Sequence, residues 1–173
     1  MSISTNSGSR IFEEHFQRHK NSIYNYALMV LGDKSAAGDV VQDTFIRLYE
    51  QQNHNPGIND VKSWLFITAR NLCFNIKRHN RQEISLDISH DQIPGEDKSG
   101  DERVYILEKA MQMLDSKFRE ALALKEYQGL SYAEMATVLE TTVPAVKSLL
   151  FRARVSLREK YNQQIKKGER YGM

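Results

Sequence analysis

A single cysteine, Cys73, stands among the 173 residues. One thiol closes no intrachain disulfide and builds no multi-cysteine zinc site, so an apolar core has to carry the stability. Such usage suits a reducing compartment. Only 3 prolines and 9 glycines occur, which excludes collagen-like and low-complexity character. No run of about 18 apolar residues exists, which argues against a membrane-spanning helix. The first residues, MSISTNSGSR, lack an apolar signal core. The expectation is a soluble, unexported, cytoplasmic chain with no membrane insertion. Strand-like alternation and internal repeats are missing too. What is present is globular in composition, 40% hydrophobic and 27% charged, and long enough for one domain or two small ones.

The formal net charge is only +2, but it is segregated. Residues 62–81 hold five basic side chains (Lys62, Arg70, Lys77, Arg78, Arg81) and no acid. Residues 83–102 hold seven acids against Lys98. Residues 147–170 hold eight bases against Glu159 and Glu169. Two basic blocks around an acidic spacer suggest two contacts with polyanions, although solvated helix faces would look the same.

The pattern divides the chain at the spacer and predicts an all-α fold of two small helical domains. Residues 1–10 read as a disordered N-terminus. Residues 11–82 carry helix-spaced apolar residues. Gly32 breaks the first run and Asp33 can cap the next helix. The stretch from Asn53 to Gly57 reads as a loop, after which Asn59 can cap a long helix to about Arg81. Residues 83–101 show no amphipathic period and read as an acidic linker reaching roughly 60 Å when extended. Residues 102–162 are helical again, with Asp115 or Ser116 as a cap, Gly129 as a stop, and a capping box from Ser131 to Glu134. Pro144 suits the first turn of a following helix. Residues 163–173 read as a frayed basic tail.

Two regions carry chemistry. On the helix through 63–81, Leu65, Ala69, Leu72 and Ile76 fall on one stripe that should face a core. Arg70, Lys77, Arg78 and Arg81 cluster opposite, near Phe66 and Phe74, while Trp64, Thr68, Asn71 and Asn75 form a flanking strip. Cations, exposed rings and amides together are what unpaired nucleic acid binds: phosphates, stacked bases and base edges. Spacing alone leaves the three rings a second role as core. In the other half, helices at about 131–139 and 143–160 form a helix-turn-helix, with Val146, Leu150, Ala153 and Leu157 inward. That arrangement can place the second helix in a major groove, or can be a plain helical hairpin.

Three stretches resemble the extracytoplasmic-function sigma factors of bacterial RNA polymerase, in the group that has only regions 2 and 4. Residues 39–50 (DVVQDTFIRLYE) are similar to region 2.2. Residues 64–75 (WLFITARNLCFN), with Lys77, Arg78 and Arg81, are similar to regions 2.3 and 2.4. Residues 129–136 (GLSYAEMA) and 146–154 (VKSLLFRAR) are similar to region 4.2. Their order around a variable linker is specific. The resemblance implies that Asp39, Val40, Gln42, Asp43, Phe45 and Leu48 dock on the clamp helices of core polymerase. It implies that Lys62, Trp64, Arg70, Asn71, Phe74, Asn75, Lys77, Arg78 and Arg81 hold the melted −10 element. It assigns the duplex −35 element to Ser131, Tyr132, Thr142, Pro144, Ala145, Lys147, Ser148, Arg152 and Arg154. Further implied partners are the polymerase flap and an anti-sigma factor.

The chain departs from the family at three places. Glu140 stands near a glycine common in the helix-turn-helix turn, which requires another turn or a left-handed residue. Leu149 stands where many relatives have arginine, and Asp115-Ser116 replaces a Leu-Pro start. Other chemistry is sparse. His15 and His19 sit four apart on a helix, a metal-compatible spacing without a third ligand. No P-loop, dinucleotide fingerprint or nucleophile elbow occurs, so neither catalysis nor a cofactor is expected. The rival functions are an operator-binding helix-turn-helix regulator and a protein that only binds polymerase or an anti-sigma factor.

Overall fold

Short polar punctuation cuts a strongly helical sequence into its elements. The computed structural model describes residues 4–54, 57–84 and 102–171. In order these form α1 (Ser4–Leu31), α2 (Lys34–His54), α3 (Val61–Ile84), α4 (Glu102–Gln112), α5 (Ser116–Leu122), a π-helical segment (Ala123–Tyr127), α6 (Tyr132–Val138) and α7 (Val143–Tyr171). Every element among the described residues is helical, in agreement with the all-α expectation. The chain divides into two compact units: α1 to α3, with which residues 137–140 are grouped, and α4, α5, the π-helical segment, the rest of α6 and α7.

The first junction forms as its residues predict. Gly32 takes a φ of 73°, and its N–H donates to the Leu28 carbonyl at 2.8 Å. Asp33 Oδ1 then accepts from the Ala36 N–H at 2.6 Å, which satisfies one of the orphan donors opening α2. At the next junction the cap is Asp60, one residue beyond the expected Asn59: its Oδ1 accepts from the Ser63 N–H at 3.0 Å. Both residues have cap chemistry, and a one-residue shift lies within ordinary boundary error. Hydrogen bonding from Ser63 holds the Asp60 carboxyl below its ordinary range.

Three helix ends run further than composition suggests. α1 starts at Ser4, so residues 4–10 are helical rather than disordered. α2 continues through Asn53 and His54, which had read as loop. α7 continues to Tyr171, so most of the expected frayed tail is helix. Poor helix formers add to an anchored helix more easily than they nucleate one, because elongation fixes one residue per hydrogen bond gained. Of the expected acidic linker, residues 85–101 lie outside the described residues, as do 55 and 56 of the expected loop.

Within unit one, each helix packs on the other two. Ile23, Tyr26 and Ala27 of α1, Val40 and Leu48 of α2, and Leu65 and Phe66 of α3 are essentially inaccessible. Each large apolar side chain buried in this way contributes about 1.5–3 kcal/mol. Phe66 meets Tyr26 edge-on at 5.6 Å between centroids. In unit two, α4 and α5 both pack on α7. Val146, Leu150 and Ala153 are buried as their spacing predicts. Arg119 fixes the α4–α5 corner: its guanidinium donates to the carbonyls of Met111 (3.1 Å), Gln112 (2.5 Å) and Leu114 (3.1 Å). A cation at a helix C-terminus satisfies the orphan carbonyls and complements the helix dipole.

Candidate nucleic-acid interfaces

α2 presents one polar face and buries the other. Val40, Phe45 and Leu48, expected on a docking surface, lie instead in the core of unit one. Phe45 packs edge-on against Phe16, with centroids 4.9 Å apart. The reason is geometric: Val40, Thr44 and Leu48 repeat at four-residue spacing and so follow the buried stripe. The exposed stripe carries Asp39, Gln42 and Asp43 together with Ile46 (47% exposed) and Tyr49 (52%). Asp39, Gln42, Asp43 and Ile46 follow an i, i+3, i+4, i+7 pattern, so the sequence itself places Ile46 on this exposed stripe.

α3 separates its residues in the same way, with a wider buried face than one stripe. Phe66, Thr68 and Cys73 join Leu65, Ala69 and Leu72 in the core, because α3 packs against both α1 and α2. Phe66 is therefore core and no part of the basic face. Asn71, Phe74, Asn75 and Arg78 are exposed, again at i, i+3, i+4, i+7, and form one outward face. Trp64, Lys62, Arg70 and Lys77 border it half-buried. Phe74 is 49% exposed, and the Arg70 guanidinium lies over its ring at 4.8 Å. That contact orients the ring and places a cation beside it. Arg81 lies on α3, with its side chain outside the described residues.

The helix-turn-helix is built by two local devices. The capping box forms in full: Glu134 N–H donates to Ser131 Oγ at 3.1 Å, and Ser131 N–H donates to Glu134 Oε2 at 2.7 Å. The turn closes as a Schellman motif, with Thr141 N–H to the Ala136 carbonyl at 2.9 Å and Glu140 N–H to the Thr137 carbonyl at 3.3 Å. Glu140 occupies its left-handed position at φ 52°. Of the two solutions open to a non-glycine there, the chain uses the left-handed one. Thr142 Oγ1 then accepts from Ala145 N–H at 3.4 Å as α7 begins.

Ser131, Thr142, Pro144, Ala145, Lys147, Ser148 and Arg152 are exposed around this motif, and Tyr132 is half-buried. The Lys125 and Lys147 ammoniums lie over the Tyr132 ring at 4.8 and 5.6 Å. Lys125 Nζ also donates to the Leu130 carbonyl at 3.0 Å. Phe151 is 69% exposed on the outer side of α7. Arg154 departs from the simple expectation of an open phosphate contact: its Nε and Nη2 donate to Glu126 Oε1 at 3.1 and 2.6 Å. Lys125 and Glu126 belong to the π-helical segment, whose irregular register no apolar periodicity reveals. Gln128 N–H bonds the Ala123 carbonyl at 3.1 Å, and Gly129 follows at φ 65°. His15 and His19 stack with centroids 6.1 Å apart, and no third ligand joins them among the described residues.

Comparison with known proteins agrees with this division. The Sigma-70 region 2 family model matches residues 15–83, and the Sigma-70 region 4 model matches residues 105–157. The chain is 32% identical over 158 residues to the ECF RNA polymerase sigma factor SigM of Bacillus subtilis, covering 88% of this chain and 96% of that protein. It is 30% identical over 158 residues to the ECF RNA polymerase sigma factor SigE of Mycolicibacterium smegmatis, covering 86% of this chain and 60% of that one. In fold it is similar to the sigma factor RpoE of Bartonella quintana, solved in complex with the anti-sigma factor NepR (TM-score 0.77, 24% identity, 88% of this chain and 98% of that one). Two helical units that match regions 2 and 4 in order, with relatives spanning nearly the whole chain, place this protein in the family of ECF RNA polymerase sigma factors.

Proposed function

We propose that the chain acts in the cytoplasm as a non-catalytic initiation subunit, in which each unit performs one half of promoter selection. The outward face of α3 takes the unpaired −10 strand. Phe74 and Trp64 stack on bases, Asn71 and Asn75 bond base edges, and Lys62, Arg70, Lys77, Arg78 and Arg81 hold phosphates. Strand opening is then differential binding, since contacts made only to the single strand offset the cost of unstacking. The start of α7 takes the duplex −35 element, with Pro144, Ala145, Ser148 and Arg152 toward base edges. Lys147, Thr142, Ser131 and Tyr132 lie toward the backbone. The exposed stripe of α2 docks on the clamp helices of core polymerase through Asp39, Gln42, Asp43, Ile46 and Tyr49, and unit two meets the flap. The resolved complexes of similar folds, RpoE with NepR and CnrH with the cytosolic domain of CnrY, support an anti-sigma partner here as well.

The observation that carries this reading is the outward row of Asn71, Phe74, Asn75 and Arg78, which an operator-binding regulator would leave without a task. The test is transcription from a random-promoter library by core polymerase with and without the chain. RNA starting at a fixed distance from one bipartite motif, only when the chain is present, is the expected result. Duplex binding with no polymerase association would favour the regulator instead.

A further inference from the structure

Around Tyr132 the structure gathers cations from two elements. Lys125 comes from the π-helical segment and Lys147 from the first turns of α7, both over the same ring. Arg154 follows Lys147 by seven residues, two turns further along the same flank of α7. Its partner is Glu126. These cations border the surface assigned above to duplex DNA, and a carboxylate from the same chain holds Arg154. The Glu126–Arg154 pair spans 28 residues of sequence, and its side chains are 48% and 49% exposed.

We infer that Glu126 is a stand-in for a DNA phosphate: it holds Arg154 in the free protein and surrenders it to the sugar–phosphate backbone when α7 enters the duplex. The inference rests on the −35 role proposed for α6 and α7. A half-exposed ion pair is weak, so it yields easily. A phosphate offers the same planar fork two oxygens, sits in the field of its neighbours, and releases condensed counterions when neutralised. The geometry suits an exchange, because Nε and Nη2 both converge on the single atom Oε1. Glu126 is thus a residue that sets DNA affinity without contacting a base. It offsets part of one phosphate contact in every encounter with DNA, specific or not, because the pair must open before Arg154 reaches the backbone.

The test uses the full chain reconstituted with bacterial core polymerase on promoter fragments selected by the library above, with the −35 element kept duplex. Dissociation constants are measured across a range of KCl concentrations for wild type, Glu126→Gln, Glu126→Ala, Arg154→Ala and the double variant Glu126→Gln/Arg154→Ala. Both Glu126 variants should bind about three- to tenfold more tightly near 0.1 M salt, on promoter and scrambled DNA alike. Their salt slope should steepen by no more than about 0.9, the value of one phosphate contact. Replacing Arg154 should abolish the gain. If Glu126 only braces α7, its removal weakens binding or changes nothing and the wild-type slope stays, which overturns the inference. If the wild-type chain gives core polymerase no −35-dependent binding at all, the proposed function fails first and takes the exchange with it.

Discussion

Glu140 shows how much a single backbone position carries. A left-handed conformation costs a residue with a Cβ about 1–2 kcal/mol, part of which glycine returns through its greater unfolded-state entropy. Glu140→Gly should therefore stabilise the protein by about 0.5–1 kcal/mol, read as a higher urea midpoint at unchanged m-value. His19 makes a second prediction at this scale. Burial lowers its pKa from the ordinary 6.5, aided by the positive groups His15, Arg18 and Lys62. The folded state then resists a proton that the unfolded chain accepts, so this histidine removes stability as pH falls through the ordinary histidine range. His19→Gln should make the urea midpoint less sensitive between about pH 7.5 and pH 5.5; an unchanged sensitivity would contradict it. The value of reading residue types was uneven at this scale. Asp33, Ser131 and Glu134 announced their caps, because cap chemistry is local. Glu126 announced nothing, since its partner lies far along the chain and a carboxylate on a helix usually faces water.

Among the elements, helix existence was legible and helix ends were less so. The apolar period marked α3 and α7, but the period cannot say how many neighbours a helix has. α3 touches two helices, so Phe66 is core although it lies off the single stripe, while Cys73 is buried as expected of a small core residue. The same limit put Val40, Phe45 and Leu48 on a surface, when the exposed apolar members of that helix are Ile46 and Tyr49. The corner between α4 and α5 was not visible beforehand, because it depends on one arginine reaching three carbonyls. Arg119→Ala leaves those carbonyls without their donor and should cost about 2 kcal/mol, with α4 exchanging its amide protons sooner than α7. Equal protection of the two helices in that variant would show that the corner is held by packing alone.

For the whole molecule, the two units predict separable defects. Arg78→Ala should lower formation of the open complex several-fold while leaving binding to fully duplex promoter DNA nearly unchanged. Lys147→Ala should do the reverse: it should weaken −35-dependent binding across sequences and reduce the salt slope by about one. Permanganate reactivity of unpaired thymines and duplex binding at several salt concentrations separate the two; matching losses in both assays from either variant would refute the division of labour. The split into two helical units was already visible in the segregated charge and in the order of the three motif stretches. The exchangeable partner of Arg154 was not, because it depends on the π-helical segment.

α7 is one uninterrupted helix of 29 residues, and a helix of that length spans about 43 Å. Its start carries the side chains proposed above to face the groove, while Gln164, in its later half, donates to Met113 Sδ at 2.9 Å beyond the end of α4. A stiff rod gripped at several points, here at the buried Val146, Leu150 and Ala153 as well as at Gln164, moves as one piece: a tilt of one degree displaces its ends relative to each other by about 0.7 Å over such a length. Under the −35 role proposed above, a small displacement where α4 meets the rod should be passed to its groove-facing end, and mutations around Met113 should alter promoter choice without approaching DNA.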